Sequence, residues 1–258
     1  MGALTRVRAA SVAAWHSFLR RRTAVFFTFF FPVIIVLIFG VLVGTQPTGG
    51  GLFTEPPAYY IPGYLAVVVL FTPLSRVGSE VARHRAGNQF EKLATTPLSR
   101  GEWLLAQTLV NVVVIGLAGL LLLALVVLAT GADVTLSPLV VPFLVAGVAL
   151  FCGVGALLGS FADSQDGVIA ASNAIALPLL FLSETFVPPD LLPAWFRPAM
   201  QLSPLTYFAR GVRALTSEPA AETWFGMAAP GPLLYFGVLA GVTVVCFAAG
   251  AASLPRTD

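Results

Sequence analysis

The sequence predicts an all-α membrane protein with six transmembrane helices, an N-terminal amphipathic helix in the membrane interface, and a polar helical interval between the second and third spans. Three observations predict it. Hydrophobic residues make up 57% and charged residues 10% of the 258 positions, where an ordinary soluble domain carries roughly 25% charged residues. Mean hydropathy is +0.90, and apolar runs near the ~20 residues that a bilayer core requires recur along the chain. Residues 83–100 stand apart as a long charge-dense interval near the middle of the sequence. The expectation is a single transmembrane unit over residues 1–258 with no separate soluble domain.

Within residues 1–22, Leu4, Val7, Val12, Trp15, Phe18 and Leu19 recur near helical spacing, with Arg6, Arg8 and Arg20 among them. That is the pattern of a helix lying among lipid headgroups, Trp15 serving as anchor; a frayed polar tail is the alternative. It does not read as a signal peptide, because the next apolar run exceeds the about 7–15 residues of a signal core. The first span is expected over 23–44, with Pro32 tolerated because a bilayer protein re-satisfies freed backbone groups. A loop rich in Gly and Pro leads to a second span at 59–80, where Tyr59, Tyr60 and Tyr64 form an interfacial aromatic belt. Further spans are expected at 102–130, 137–161, 167–187 and 231–253.

Residues 188–230 are too polar to span and too apolar for a solvated loop. Leu191, Leu192, Trp195, Phe196, Met200 and Leu202 form one apolar patch, and Tyr207, Phe208, Val212 and Leu215 another. Pro188-Pro189 and Pro204 are helix-start signals. Two short external re-entrant helices are expected, which requires protein to cover their ends.

Basic residues set the orientation. With the N-terminus in the cytosol, eleven of the fourteen Lys and Arg fall inside, and only Arg197, Arg210 and Arg213 fall outside. The positive-inside rule favours that arrangement, so both termini are expected in the cytoplasm of a plasma-membrane protein. A net charge of +2 is too small to argue for nucleic acid.

The ionisable residues exclude several chemistries. A phosphate-binding Walker A loop needs Lys followed by Ser or Thr; Lys92 is the sole lysine, and Leu93 follows it. No nucleophile–base constellation appears, His16 and His84 are isolated, and no Cys/His spacing suits a metal. Cys152 and Cys246 lie inside apolar runs and read as small buried residues. Gln107, Asn111 and Asn173 are polar but uncharged positions within spans, and are the candidate substrate path. Glu184 is the one carboxylate near membrane depth away from the cytosolic face. Gly155/Gly159 and Gly237/Gly241 are small-residue packing faces, either within the chain or at a seam between two chains.

Phe90-Glu91-Lys92-Leu93-Ala94-Thr95-Thr96-Pro97-Leu98-Ser99-Arg100 resembles the cytosolic loop motif of type-2 ABC transporter permeases, the membrane subunits typified by daunorubicin-resistance and polysaccharide exporters. Ser203-Pro204-Leu205-Thr206-Tyr207 through Arg213 is similar to the family's second hallmark, and Phe186-Val187-Pro188 and Leu192-Pro193-Ala194-Trp195 match its approach. The resemblance implies that residues 83–100 form a coupling helix docking into a separate ATP-binding subunit, with Arg85, Phe90, Glu91, Lys92, Leu93, Thr96, Pro97 and Arg100 as coupling residues. On their own terms, Phe90, Leu93, Ala94 and Pro97 make an apolar ridge at i, i+3, i+4 and i+7, ringed by charge. The resemblance also implies an external gate in the segment holding Pro204, Tyr207, Arg210 and Arg213, and Glu184, where family members commonly carry a small residue, is the further candidate beside it. Arg210 and Arg213 share a helix face, to contact a headgroup or to pair with Glu184 or Glu218.

The implied function is the permease subunit of an ATP-driven exporter of an amphiphilic or lipophilic substrate. It would work with two ATP-binding subunits, which carry the ATP and Mg, and with a second permease chain, identical or not. No cofactor is expected in this chain. Two rivals remain: a secondary transporter or channel, and an intramembrane lipid-modifying enzyme.

Overall fold

The computed structural model describes residues 2–38, 56–132, 134, 137–183, 185, 192–193, 195–216, 223–224, 227–228 and 231–255. Helix α1, Ala3–Arg20, is followed after a single non-helical residue, Arg21, by α2, Arg22–Ile35. The two are bent by 83°, so α1 lies nearly at right angles to α2. α2 carries Pro32 and runs into a π turn over 36–38, a local widening of the helix. A 3-10 turn, Pro57–Tyr60, opens α3, Ile61–Ala86, and a six-residue helix α4, Gln89–Ala94, follows. Then come α5, Arg100–Thr130; α6, Val140–Phe161; and α7, Gln165–Phe181. Next are α8, Arg197–Met200, and α9, Pro204–Thr216. A two-residue antiparallel pairing, β1 Thr223–Trp224 with β2 Met227–Ala228, precedes α10, Pro232–Ser253.

Among the described residues, four helical stretches are long and apolar enough to cross a membrane, namely 57–86, α5, α6 and α10, or five if the bent α1–α2 pair counts as one. α7 is apolar but only 17 residues long. The architecture is therefore that of a helical membrane protein. Its second long helix runs a turn and a half beyond the expected 59–80, to Ala86, because Arg76, Glu80, Arg83 and His84 are bonded within the bundle and their polarity does not end the helix. Gly87 and Asn88 end it, Asn88 adopting a left-handed φ of 50° that an L residue with a short polar side chain tolerates best. Residues 83–100 are thus not one helix. They comprise the last turn of α3, the six residues of α4, and a turn into α5. α7 starts at Gln165, two residues before the expected 167, because the Ser164 hydroxyl accepts the Gly167 N–H at 3.0 Å and caps it. Residues 39–44 of the expected first span lie outside the described residues.

α3 is the axis of the bundle and packs against α5, α6, α7 and α9, most extensively α6. Its apolar residues from Ile61 to Leu70 are almost wholly buried. Glycines bring α6 into backbone contact on two faces. A Cβ on Gly155 would sit 2.6 Å from the Leu74 carbonyl oxygen of α3, and one on Gly153 would sit 2.6 Å from that of Cys246 in α10. The Gly155/Gly159 face is therefore internal, whereas a Cβ on Gly237 or Gly241 would meet nothing within 4 Å outside its own helix backbone among the described residues. Where backbones approach this closely, dispersion and interhelical hydrogen bonds replace the hydrophobic drive that lipid removes; Thr243 Oγ1 donates to the Ala146 carbonyl at 3.1 Å across the α10–α6 seam.

Candidate functional site

At the end of the bundle that carries α1 and α4, three rings fix α4. His84 of α3, Phe90 of α4 and Trp103 of α5 form a triangle with every pair of ring centroids 5.4 Å apart and tilted or edge-on, the geometry that aromatic quadrupoles prefer. The His84 ring is held in turn, its Nδ1 lying 2.8 Å from the Glu80 carbonyl oxygen. Six residues cannot hold a helix in water by themselves, so this wedge, with half-buried Leu93 beside it, keeps α4 in place.

The apolar ridge read from the sequence consequently splits. Phe90 and Leu93 turn inward, while Glu91, Lys92, Ala94, Thr96 and Pro97 are exposed. The turn after α4 is held by hydroxyls: Thr95 Oγ1 donates to the Lys92 carbonyl at 2.8 Å, and Thr96 Oγ1 to that of Leu93 at 2.6 Å. The Ser99–Glu102 capping box then starts α5. The two arginines among the expected coupling residues are also engaged inside the chain. Arg85 donates to the Gly159 and Ala162 carbonyls at 3.1 and 2.9 Å, and Arg100 to the Ala252 carbonyl at 3.3 Å. Both guanidinium groups cap helix C-termini, of α6 and α10, where the orphan carbonyls and the helix dipole favour a cation.

α1 is bound to this assembly by charge. Arg6 grips Glu102 with two hydrogen bonds, of 3.1 and 2.5 Å, a forked geometry that suits guanidinium and carboxylate. The Glu102 hydrogen bond holds the Arg6 guanidinium above its ordinary pKa. Glu80 accepts from Arg21 at 2.9 Å and from Arg83, linking the α1–α2 elbow to α3. Arg76 lies with its guanidinium 4.4 Å from the Phe18 ring centroid and donates to Asn111 Oδ1 at 3.2 Å; Asn111 Nδ2 donates onward to the Gln107 carbonyl at 2.9 Å. A cleft of about 1180 Å³ opens between α1 and α4. Its described lining includes Arg6, Arg20, Arg21, Arg83 and Lys92 against the carboxylate of Glu80, so it presents positive charge to whatever enters.

The sequence reading did not single out Arg6, Arg21, Glu80, Trp103 or Glu102 as site residues. The Arg76/Glu80/Arg83/His84 set was detectable as opposite charges at i±3 and i±4 on one helix; the Arg6–Glu102 link, 96 residues apart, had no such signal. Of the candidate path, Gln107 and Asn111 are buried together on α5, while Asn173 is exposed on α7 and does not join them.

At the opposite end, Pro204 opens α9, and the Tyr207 hydroxyl donates to the Gln201 carbonyl at 2.9 Å. Ser203 Oγ donates to the Leu179 carbonyl at 3.0 Å, tying α9 to α7. Arg210 and Arg213 are both buried in α9, and the Arg213 guanidinium stacks 4.0 Å from the Tyr59 ring centroid, a cation–π contact strengthened by desolvation. Glu184 and Glu218 lie outside the described residues.

Fold and site together define a polytopic helical membrane protein with an exposed polar helix wedged between the ends of two long apolar helices. The chain belongs to the ABC-2 type transporter family, whose sequence profile matches residues 5–216, from α1 through α9. It is 26% identical over 193 residues to the daunorubicin resistance ABC transporter permease protein DrrB1 of Streptomyces coeruleorubidus, an alignment covering 71% of this chain and 65% of that relative. The matched length is thus slightly under two thirds of the relative.

Proposed function

We propose that the chain is the permease subunit of an ATP-driven exporter, in which α4 receives the stroke of a separate ATP-binding subunit. The observation that carries the reading is the His84–Phe90–Trp103 wedge, which makes α4 the point where force on an exposed surface enters both α3 and α5. Exposed Glu91 and Lys92 supply charge for partner register. Closure of two ATP-binding subunits, each carrying its ATP and Mg, moves α4 in each of two permease chains and rocks the spans between inward- and outward-open states.

In this reading the chain crosses the bilayer six times, the α2 and α7 segments completing the first and fifth spans. The α1/α4 end faces the cytosol, as the concentration of basic residues there favours. α8 and α9 form the external gate, dipping into the outer leaflet. The cargo is amphiphilic or lipophilic, consistent with spans that offer few ionic ligands and with the name of the daunorubicin resistance relative. Purification of the tagged chain from native membranes tests the reading: nucleotide hydrolysis should accompany it and fall when Glu91 and Lys92 are both replaced by Ala. Solute transport by the chain alone under an ion gradient, with no hydrolysing protein attached, overturns it.

A further inference from the structure

The amphipathic helix α1 has two working faces. Arg6 and Arg8 are two residues apart, about 200° around a helix of 3.6 residues per turn. Arg6 turns to the cleft and Glu102, while Arg8 lies on the other side, exposed. On that side a groove of about 410 Å³ runs between α1 and α5, floored by Val7 and Val110 and walled by Val12, Leu109 and Val113. Trp15 is also in its lining. The Ser11 hydroxyl donates back to the Val7 carbonyl at 2.9 Å, which leaves the groove's one hydroxyl engaged and its walls apolar.

Three features identify what fits there. Leu109 and Val113 belong to the exposed α5 stripe Leu105, Leu109, Val113, Leu117 and Leu120, whose spacing of four and then three continues the groove directly onto the apolar flank of a membrane-crossing helix. α1 holds no acidic residue, and among the groove's described lining Arg8 is the one charge. The 83° elbow lays α1 across the direction of α2, so that an aliphatic chain in the groove and an anion at Arg8 would occupy the depths at which a lipid carries them. We propose that this groove binds an anionic phospholipid of the leaflet in which α1 lies, one acyl chain against α5 and the headgroup phosphate on Arg8. An extended protein segment would bring unpaired backbone polar groups into a groove whose one hydroxyl is already engaged. The proposal requires that α5 crosses the bilayer and that α1 lies at its surface, and is independent of the ATPase pairing.

Trp15 reports occupancy. The full chain is reconstituted in phosphatidylcholine vesicles containing a minor fraction of either phosphatidylglycerol or phosphatidylcholine brominated on its acyl chains. The Trp15 contribution to quenching is the difference between the chain and its Trp15→Phe variant. The expected result is a preference for brominated phosphatidylglycerol of about fivefold, the enrichment one arginine confers near an anionic lipid. Arg8→Gln should abolish the preference, and Arg20→Gln, at the far end of α1, should leave it intact. Equal quenching by the two lipids, or a preference that survives Arg8→Gln, overturns the proposal. So does an equal loss in Arg20→Gln, which would show diffuse attraction to a basic helix.

Discussion

Phe90→Ala removes the central ring of the α4 wedge. Truncating a fully buried phenylalanine costs about 3–5 kcal/mol. Phe90 is half-buried and touches two rings, His84 and Trp103, so a loss of about 2–3 kcal/mol is expected once the edge-on contacts are included. Because 1.4 kcal/mol is a factor of ten, the ratio of docked to released α4 should fall by roughly 30- to 150-fold. The α3–α6 and α6–α10 seams, closed by glycines elsewhere in the bundle, are untouched, so the spans should stay assembled. Hydrogen–deuterium exchange of the purified chain reads this directly: amides of Gln89–Ala94 should exchange far faster in the variant, while those of α6 keep their protection. Glu91→Ala, altering an exposed side chain on the same helix, should leave exchange unchanged while weakening ATPase pairing. Unaltered exchange in Phe90→Ala would refute the argument that the aromatic triangle holds α4.

Three further outcomes are expected. Glu80→Gln leaves Arg21 and Arg83 without their carboxylate; both are about a third exposed and regain water, so the cost should be about 1–3 kcal/mol, read as a lower thermal midpoint. Gly155→Val forces side-chain atoms against the Leu74 carbonyl and should destabilise the α3–α6 seam by at least the about 1–3 kcal/mol typical of overpacking, visible as loss of monodisperse protein on gel filtration. Cysteines introduced one at a time at Ser99 and Ala214, both exposed, in a Cys246→Ala background that keeps only the buried Cys152, should react with an impermeant thiol reagent from opposite sides of the membrane; same-side labelling contradicts the proposed orientation.

The long apolar helices were legible in the sequence because their signal is local. α5 begins within two residues of the expected 102, where Ser99 and Glu102 cap it, and α10 within one of 231. The location of α4 was legible too, from the resemblance and from the apolar spacing of Phe90 and Leu93. Its orientation was not, since an i, i+3, i+4, i+7 ridge fits an inward-facing wedge as well as an outward-facing dock. Arg85 and Arg100 illustrate the same limit: their charge marks a polar loop, but the carbonyls they cap belong to α6 and α10, distant in sequence. Asn173 looked like a path residue because it is polar within a span, yet which face of α7 carries it depends on packing against α3 and α9.

The central claim is that exposed α4 meets a nucleotide-hydrolysing partner. A photo-crosslinking amino acid at Lys92, exposed on that helix, irradiated in native membranes and followed by mass spectrometry of the adduct, tests it most directly. The account predicts a cross-linked protein carrying a Walker A phosphate-binding loop. Adducts to lipid alone, or to a protein without such a loop, would contradict it.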